Sequence, residues 1–172
     1  MRGKAPISPA DQRMPMDLEA YERRVRSGPC FICAFLVGVP ECAHERVYED
    51  ETHIAFLDAH PTLLGRVLVA PKAHVVHVVR DLDEGVYLQL MAVVRRVALA
   101  VERVVPLERT YLLSLGSQQG NSHLHWHIAP FPPGAPHRRQ RFHALLLENG
   151  VLTWSAEEAA ALRHRIRAAV EA

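Results

Sequence analysis

No apolar stretch in the 172 residues approaches the about 18 that a membrane-spanning helix needs. Nor does the start, Met1-Arg2-Gly3-Lys4-Ala5-Pro6, lead into the apolar segment of a signal peptide, so the expected location is cytoplasmic. Charge of one sign is not in excess. Lys and Arg number 20 against 19 Asp and Glu, a net charge of +1 with histidine neutral, which gives no global attraction to nucleic acid or anionic membranes. Anion binding must therefore come from a local arrangement. Cysteine is scarce: Cys30, Cys33 and Cys42 are odd in number with two in a C-x-x-C, which suits metal or redox chemistry better than a disulfide framework. Internal repeats and low-complexity segments are lacking too. What remains, 49% hydrophobic and 23% charged, is the composition of one globular domain with a substantial core, folding alone or as a small oligomer.

Against that background one stretch stands out, Asn121-Ser122-His123-Leu124-His125-Trp126-His127-Ile128-Ala129-Pro130. In an extended segment His123, His125 and His127 point to one face while Leu124, Trp126 and Ile128 point to the other. A helix would spread the three imidazoles around its circumference, and strict alternation with Trp and Ile favours a strand. Consecutive imidazoles then sit about 7 Å apart, a spacing that spans a phosphate group. Taken alone, the three histidines also fit hydrogen-bonded core residues or a metal-binding tract.

The rest of the chain supplies the frame. Residues 1–15 hold three prolines and little periodicity, and read as a mobile arm or a partner-binding tail. Leu18, Tyr21 and Val25 mark a short amphipathic helix over 16–26, stopped by Ser27-Gly28-Pro29. Segments around Arg46-Val47-Tyr48 and Ile54-Ala55-Phe56-Leu57 flank polar residues as in a hairpin, and Arg66-Val67-Leu68-Val69-Ala70 reads as a buried strand ending at Pro71. The longest helix is expected from Leu82 to about Arg103, entered through acidic capping residues Asp81 to Glu84. A strand over Thr110–Leu115, a tight polar loop over Gly116–Gly120 and the histidine strand follow. Ser155 then caps a last helix carrying Leu162, Ile166 and Val170 on one face. This order indicates an α+β fold with an antiparallel sheet.

From Cys30 to Pro132 the sequence resembles the histidine triad family of nucleotide hydrolases and transferases. The matches run in order: Cys30-x-x-Cys33, Val47-Tyr48-Glu49-Asp50, Ala55-Phe56-Leu57-Asp58 with Pro61 and Gly65, Leu68-Val69-x-Pro71-Lys72-x-His74, and the His-x-His-x-His run followed by Ile128 and Ala129. The resemblance implies a five-stranded antiparallel sheet with a long helix and N- and C-terminal helices, extended across a homodimer. It divides the chain into an arm (1–15), the family domain (16–132) and a C-terminal extension (133–172) of basic loop plus helix packed on the same domain. The long helix is apolar on more than one stripe, and few elements of the chain remain to shield its second side, which agrees with a symmetric dimer over this helix and the Thr110–Leu115 strand.

The resemblance also implies roles. His125, the middle histidine, falls on the residue that carries a covalent nucleotide, His127 on the contact to phosphate or leaving group, and His123 on the orienting or zinc-bound position. Cys30, Cys33, His74 and His123 match the ligands of a structural Zn²⁺, and two thiolates with two imidazoles suit its tetrahedral preference; in zinc-free relatives the same positions are thiols and hydrogen-bonded histidines. Cys42 matches no ligand. Asp58 matches the acid that accepts from ribose hydroxyls, or else caps a turn, and Ile54 and Phe56 would wall the purine. The phosphate loop departs from the family's Gly-Gln-x-Val: it reads Gln118-Gln119-Gly120-Asn121, with Gln119 on the glutamine position and Ser114 where an asparagine is usual. The other histidines, including His44 and His60, read as surface or loop residues, and Arg138, Arg139 and Arg141 as a basic run that is either a solvated charge run or within reach of a polyphosphate tail. The implied activity is cleavage at the α-phosphate of a purine nucleotide, of dinucleoside polyphosphate or phosphoramidate type. Phosphorolysis, or a nucleotide sensor or scaffold with little turnover, are the alternatives. Neither a membrane nor a nucleic acid is an expected partner.

Overall fold

The protein was analysed as a computed structural model that describes residues 13–172. The first 12 residues of the expected arm lie outside the described residues. The arm does not extend through its last three: Arg13–Met14 form a short strand, β1, antiparallel to β7 (Val151–Leu152).

The hairpin strands β2 (Arg46–Glu49) and β3 (His53–Leu57) lead to β4 (Val67–Pro71), and the main sheet is completed by β5 (Arg109–Ser114) and β6 (Trp126–Phe131). Its order is β2-β3-β4-β6-β5, antiparallel at every pairing, the expected five-stranded α+β sheet. Both β3 and β4 are buried on both faces, because helices cover one side and a mixed layer the other.

The side chain of Asp17 caps α1 (Leu18–Ser27) by accepting from the Ala20 amide, and Asp83 does the same for α3 (Glu84–Val104) from Val86. Between them lies the six-residue α2 (Phe31–Leu36). Ser155 and Glu158 form a reciprocal capping box at the start of α4 (Ala156–Glu171), satisfying two amides that the helix itself leaves free. Val47, Ala55, Leu57, Val67, Val69 and Ile128 of the sheet pack against Leu90, Val94, Val97 and Val101 of α3 and Leu162 and Ile166 of α4. Each fully buried aliphatic side chain there contributes about 1.5–3 kcal/mol of transfer free energy.

Here the expectation for α3 needs correction. Part of its second side is shielded within the chain, because α4 lies along α3 and β2. The apolar residues left outside are fewer, Val86, Leu88 and Leu99.

The opposite face of the sheet splits in two. Over β3 and β4 sits α2, with Ile32 and Phe35 against Ile54, Phe56, Leu68 and Ala70. Toward β5 and β6 the segment after the sheet folds back, with Ala144 and Leu145 against Leu63, Tyr111, Ala129 and Phe131. The histidines open between these two covers.

Candidate active site and metal cluster

Cys30 is the N-cap of α2 and Cys33 stands one turn in, so a C-x-x-C at a helix start turns both sulfurs the same way. His74 follows the end of β4, and His123 precedes β6, the strand paired with β4. The four donor atoms lie within 4.8 Å of one another. Cys30 Sγ is 3.4 Å and Cys33 Sγ 3.5 Å from His123 Nδ1, and Cys33 Sγ is 3.3 Å from His74 Nδ1. Tetrahedral zinc, with bonds of about 2.3 Å to sulfur and about 2.0 Å to nitrogen, requires edges of about 3.3–3.8 Å. The donor set fits the ion in type and spacing. Burial first, then the hydrogen bond and the charge of Cys30, push the Cys33 thiol up to about 11, a resistance to ionising that comes from the site's burial as well as from the second sulfur. A divalent cation removes that resistance.

The three histidines of the run are all buried, but only His127 belongs to a strand. The extended histidine segment expected from the sequence is regular only from Trp126. His123 and His125 sit in the approach to it, anchored by the Leu124 amide donating to the Val75 carbonyl. The division of faces nevertheless holds, since Leu124, Trp126 and Ile128 all enter the helix-side core. The rings of His125 and His127 lean together to 4.8 Å between centroids, closer than the even spacing of a flat strand.

Each ring has its tautomer assigned by its partner. His123 Nε2–H donates to the Pro71 carbonyl at 2.8 Å, which leaves the Nδ1 lone pair facing the two sulfurs. His125 Nδ1–H donates to the His123 carbonyl at 2.7 Å, so its Nε2 carries the free lone pair. His127 is the reverse. Its Nδ1 lies 3.0 Å from Nη2 of Arg66, and a guanidinium has no lone pair to accept with, so Nδ1 accepts and Nε2 bears the hydrogen. Burial holds His125 below the ordinary histidine range despite the His123 carbonyl; burial, then the charges of Arg66 and His125, bring His127 down to about 2. Both rings are neutral at physiological pH.

Arg66 was passed over in the sequence as the first residue of a buried strand. It is 5% exposed, with Nη1 donating to the Thr62 hydroxyl at 3.1 Å, Nη2 to His127 and Nε 3.1 Å from Asp58 Oδ2. The Nε approach is an ion pair by proximity rather than an aligned hydrogen bond. A charge this deep, left alone, costs several kcal/mol, and its three neighbours are what offset that. Asp58 is thus joined to the histidines through Arg66, and its other oxygen accepts from the His60 amide at 2.9 Å. The contact with the His60 amide is the turn cap that the sequence offered as the alternative reading of Asp58.

The loop between β5 and β6 distributes its candidates unevenly. Ser114 is at the site, its hydroxyl donating to the His125 carbonyl at 2.9 Å. Gln119 is exposed, and Asn121, at a left-handed φ of 53°, donates its amide to the Tyr21 hydroxyl at 3.0 Å. Gly116 was not singled out in the sequence. At φ +133° it lies so close that an added Cβ would stand 2.4 Å from the Asn121 carbonyl oxygen and 3.9 Å from His125 Cε1. Only glycine fits there. On the other side of Tyr21 stand His60, edge-on at 5.8 Å, and Arg24, whose Nη2 reaches His60 Nε2 at 3.0 Å; α1 therefore bridges the Asp58–His60 loop and the 117–121 loop.

Ile54 and Phe56, expected to wall the purine, have no exposed surface with which to touch a base. Phe31, Phe35 and His44 cover Phe56, with His44 tilted over its ring at 4.8 Å. His44 is thereby no surface residue. A half-buried face against His125 belongs to Phe31, edge-on to it at 5.9 Å, and His44 stands edge-on to Phe31 at 5.8 Å. The basic segment Arg138 to Arg141 is exposed and touches the sheet through the Arg141 amide, which donates to the Tyr111 hydroxyl at 3.3 Å.

This geometry has relatives. Residues 39–132 match the HIT domain, a span that starts after the C-x-x-C. The protein named Protein hit of Bacillus subtilis is 34% identical over 104 residues, 59% of this chain and 70% of its own. A hypothetical histidine triad nucleotide-binding protein from Sulfolobus tokodaii superposes with a TM-score of 0.65 at 29% identity, covering 83% of this chain and 92% of that one. A zinc-bound histidine triad family protein from Mycobacterium smegmatis shares the fold at a TM-score of 0.62 and 24% identity, over 83% of this chain and 93% of its own. With the triad, its supporting strand order and more than half of the residues falling within the matched domain, the chain belongs to the HIT family.

Proposed function

We propose that this protein binds a purine nucleotide and cleaves it at the α-phosphate through a covalent nucleotidyl-His125, as a hydrolase or nucleotidyl transferase. The observation that carries the reading is the state of His125: buried, neutral, and held by its Nδ1–H so that the Nε2 lone pair points away from its anchor. An imidazole fixed in that tautomer is an activated nucleophile needing no base. Nε2 attacks the α-phosphorus, the bond to the leaving group breaks, and its electron pair goes with the leaving group. Water then displaces the nucleotide, the phosphorus–nitrogen bond breaks, a proton passes to solvent and His125 returns to neutral. His127 Nε2–H, on the neighbouring ring, donates to the oxygens where charge develops. Asp58 supplies a carboxylate for ribose hydroxyls, Ser114 orders the His125 backbone, and Phe31 and His44, backed by Ile54 and Phe56, present the apolar wall for the base.

Zinc held by Cys30, Cys33, His74 and His123 supplies structure rather than chemistry, because four protein ligands leave no open position. The protein acts as a two-fold dimer through α3 and the unpaired edge of β5, where Leu88, Leu99 and Leu112 are exposed. A cytoplasmic location accords with this chemistry, and no helix of the described residues is long and apolar enough to cross a membrane.

One observation favours a second reading, a nucleotide sensor with little turnover: Gln119 is exposed and the Asn121 amide is committed to Tyr21, so two of the loop's phosphate donors face elsewhere. Rapid quenching with purine dinucleoside polyphosphates, followed by mass spectrometry, separates the two. A nucleotidyl adduct on His125 is expected, and His125→Ala should lower turnover about 10³-fold or more while nucleotide binding persists. Binding without an adduct in the native protein selects the sensor. Product analysis in phosphate buffer distinguishes water from phosphate as the acceptor.

A further inference from the structure

We infer that Arg66 sets the leaving-group class of this site, confining it to phosphoanhydrides, whose leaving oxygen departs as a stable anion, and disfavouring phosphoramidates, whose leaving nitrogen must be protonated. The inference rests on the nucleotidyl-His125 reading above and deepens it.

The geometry decides the matter at His127. Arg66 Nη2 occupies the Nδ1 lone pair at 3.0 Å, and the guanidinium is held on its other sides by the Thr62 hydroxyl at 3.1 Å and by Asp58 Oδ2, 3.1 Å from Nε. With all three nitrogens turned inward and the side chain 5% exposed, Arg66 is not free to grip a substrate phosphate; it is a positioning residue. What it positions is a ring with one hydrogen, at Nε2, and no vacant site for a second. His127 can therefore offer a hydrogen bond but cannot give its proton away, since a neutral imidazole that did so would become an imidazolate.

The two candidate leaving groups differ in that requirement. When the phosphorus–oxygen bond of a phosphoanhydride breaks, the electron pair stays on a phosphate oxygen, whose charge is spread over the group, and a hydrogen bond from His127 is sufficient. When the phosphorus–nitrogen bond of a phosphoramidate breaks, the pair would stay on an amide nitrogen too basic to depart as an anion. A proton must reach that nitrogen first, and a triad whose third ring could be doubly protonated would supply it. Here the fixed guanidinium stands on the nitrogen that the second proton would take.

Two measurements on the full-length protein test this. In protein with ¹⁵N-labelled histidine near neutral pH, the imidazole spectrum should show His127 as the Nε2–H tautomer and His125 as Nδ1–H; a doubly protonated or Nδ1–H His127 overturns the inference. In the second, kcat/KM is compared for diadenosine tetraphosphate and adenosine 5′-phosphoramidate, which transfer the same adenylyl group. The anhydride should be preferred at least about tenfold, and Arg66→Met should narrow that ratio at least about tenfold by releasing Nδ1. A phosphoramidate used as well as the anhydride, or a ratio unmoved in a folded Arg66→Met, sinks the proposal while the His125 adduct still forms. Absence of the adduct from both substrates counts instead against the catalytic reading itself. Should Arg66→Met not fold, the native tautomers and the native substrate ratio decide.

Discussion

At the scale of the residue, the fold keeps His125 and His127 uncharged. Their folded-state pKa values are lowered below the about 6.5 of an exposed histidine, so the unfolded chain binds protons that the folded one refuses. Stability is thus complete above about pH 6.5 and declines as pH falls, by up to about 1.4 kcal/mol per pH unit for each ring until its folded value is passed. Since His127 reaches that value only at about 2, the decline spans the mildly acidic range. Urea unfolding compared between about pH 6.5 and about pH 5 should show the native protein losing at least about 1.5 kcal/mol more than a His125→Asn/His127→Asn variant. Equal losses would mean that the two rings do not titrate as described. The run of histidines and the cysteine pair were legible in the sequence because each is a local pattern of reactive side chains. Arg66 was not, although a single arginine opening the apolar run Val67 to Ala70 was a signal, since a charge that enters a core has to meet partners there. Those partners, Asp58, Thr62 and His127, lie 8, 4 and 61 positions away, and no spacing rule joins them.

At the scale of the element, the cysteine and histidine cluster fastens three pieces of chain that otherwise share little: the start of α2, the exit from β4 and the approach to β6. His123 belongs to the cluster, and its carbonyl is the acceptor that sets His125. We expect about one zinc per chain by elemental analysis, abolished in Cys30→Ser/Cys33→Ser. Loss of the ion should lower the melting temperature by several degrees and turnover by less, because a closed coordination shell contributes to folding. Metal retained in that double variant would refute the ligand set. Helices α1, α3 and α4 and the hairpin could be read from periodicity and caps, with ends displaced by one or two residues, whereas the six-residue α2 was not read. The histidine strand was read too long, since its first two histidines are shaped by side-chain anchors rather than by a ladder. The aromatic layer of Phe31, Phe35 and His44 over Phe56 escaped notice because it is assembled from α2 and the segment before β2, which only tertiary packing brings together.

At the scale of the whole molecule, the sheet ends at β5, an edge strand with Leu112 exposed, and α3 shows Leu88 and Leu99 beside solvent after α4 has taken its other side. A self-complementary pairing across this edge would bury upward of about 2,000 Å², enough for an obligate dimer. Light scattering at micromolar protein should give twice the chain mass, and Leu88→Glu/Leu112→Glu should give the single mass; a native monomer would overturn the assignment. The fold class was readable from the order of elements, but the role of α4 was not, because its apolar face does not say which helix it will meet. A different property follows from α1, which has no buried residue and meets the loops beside the site through Tyr21, Arg24 and Val25. Elements held so lightly open at a small fraction of the global unfolding free energy. The amides of α1 are therefore expected to exchange with solvent well before those of β4 and β6, an order that hydrogen exchange read by mass spectrometry checks.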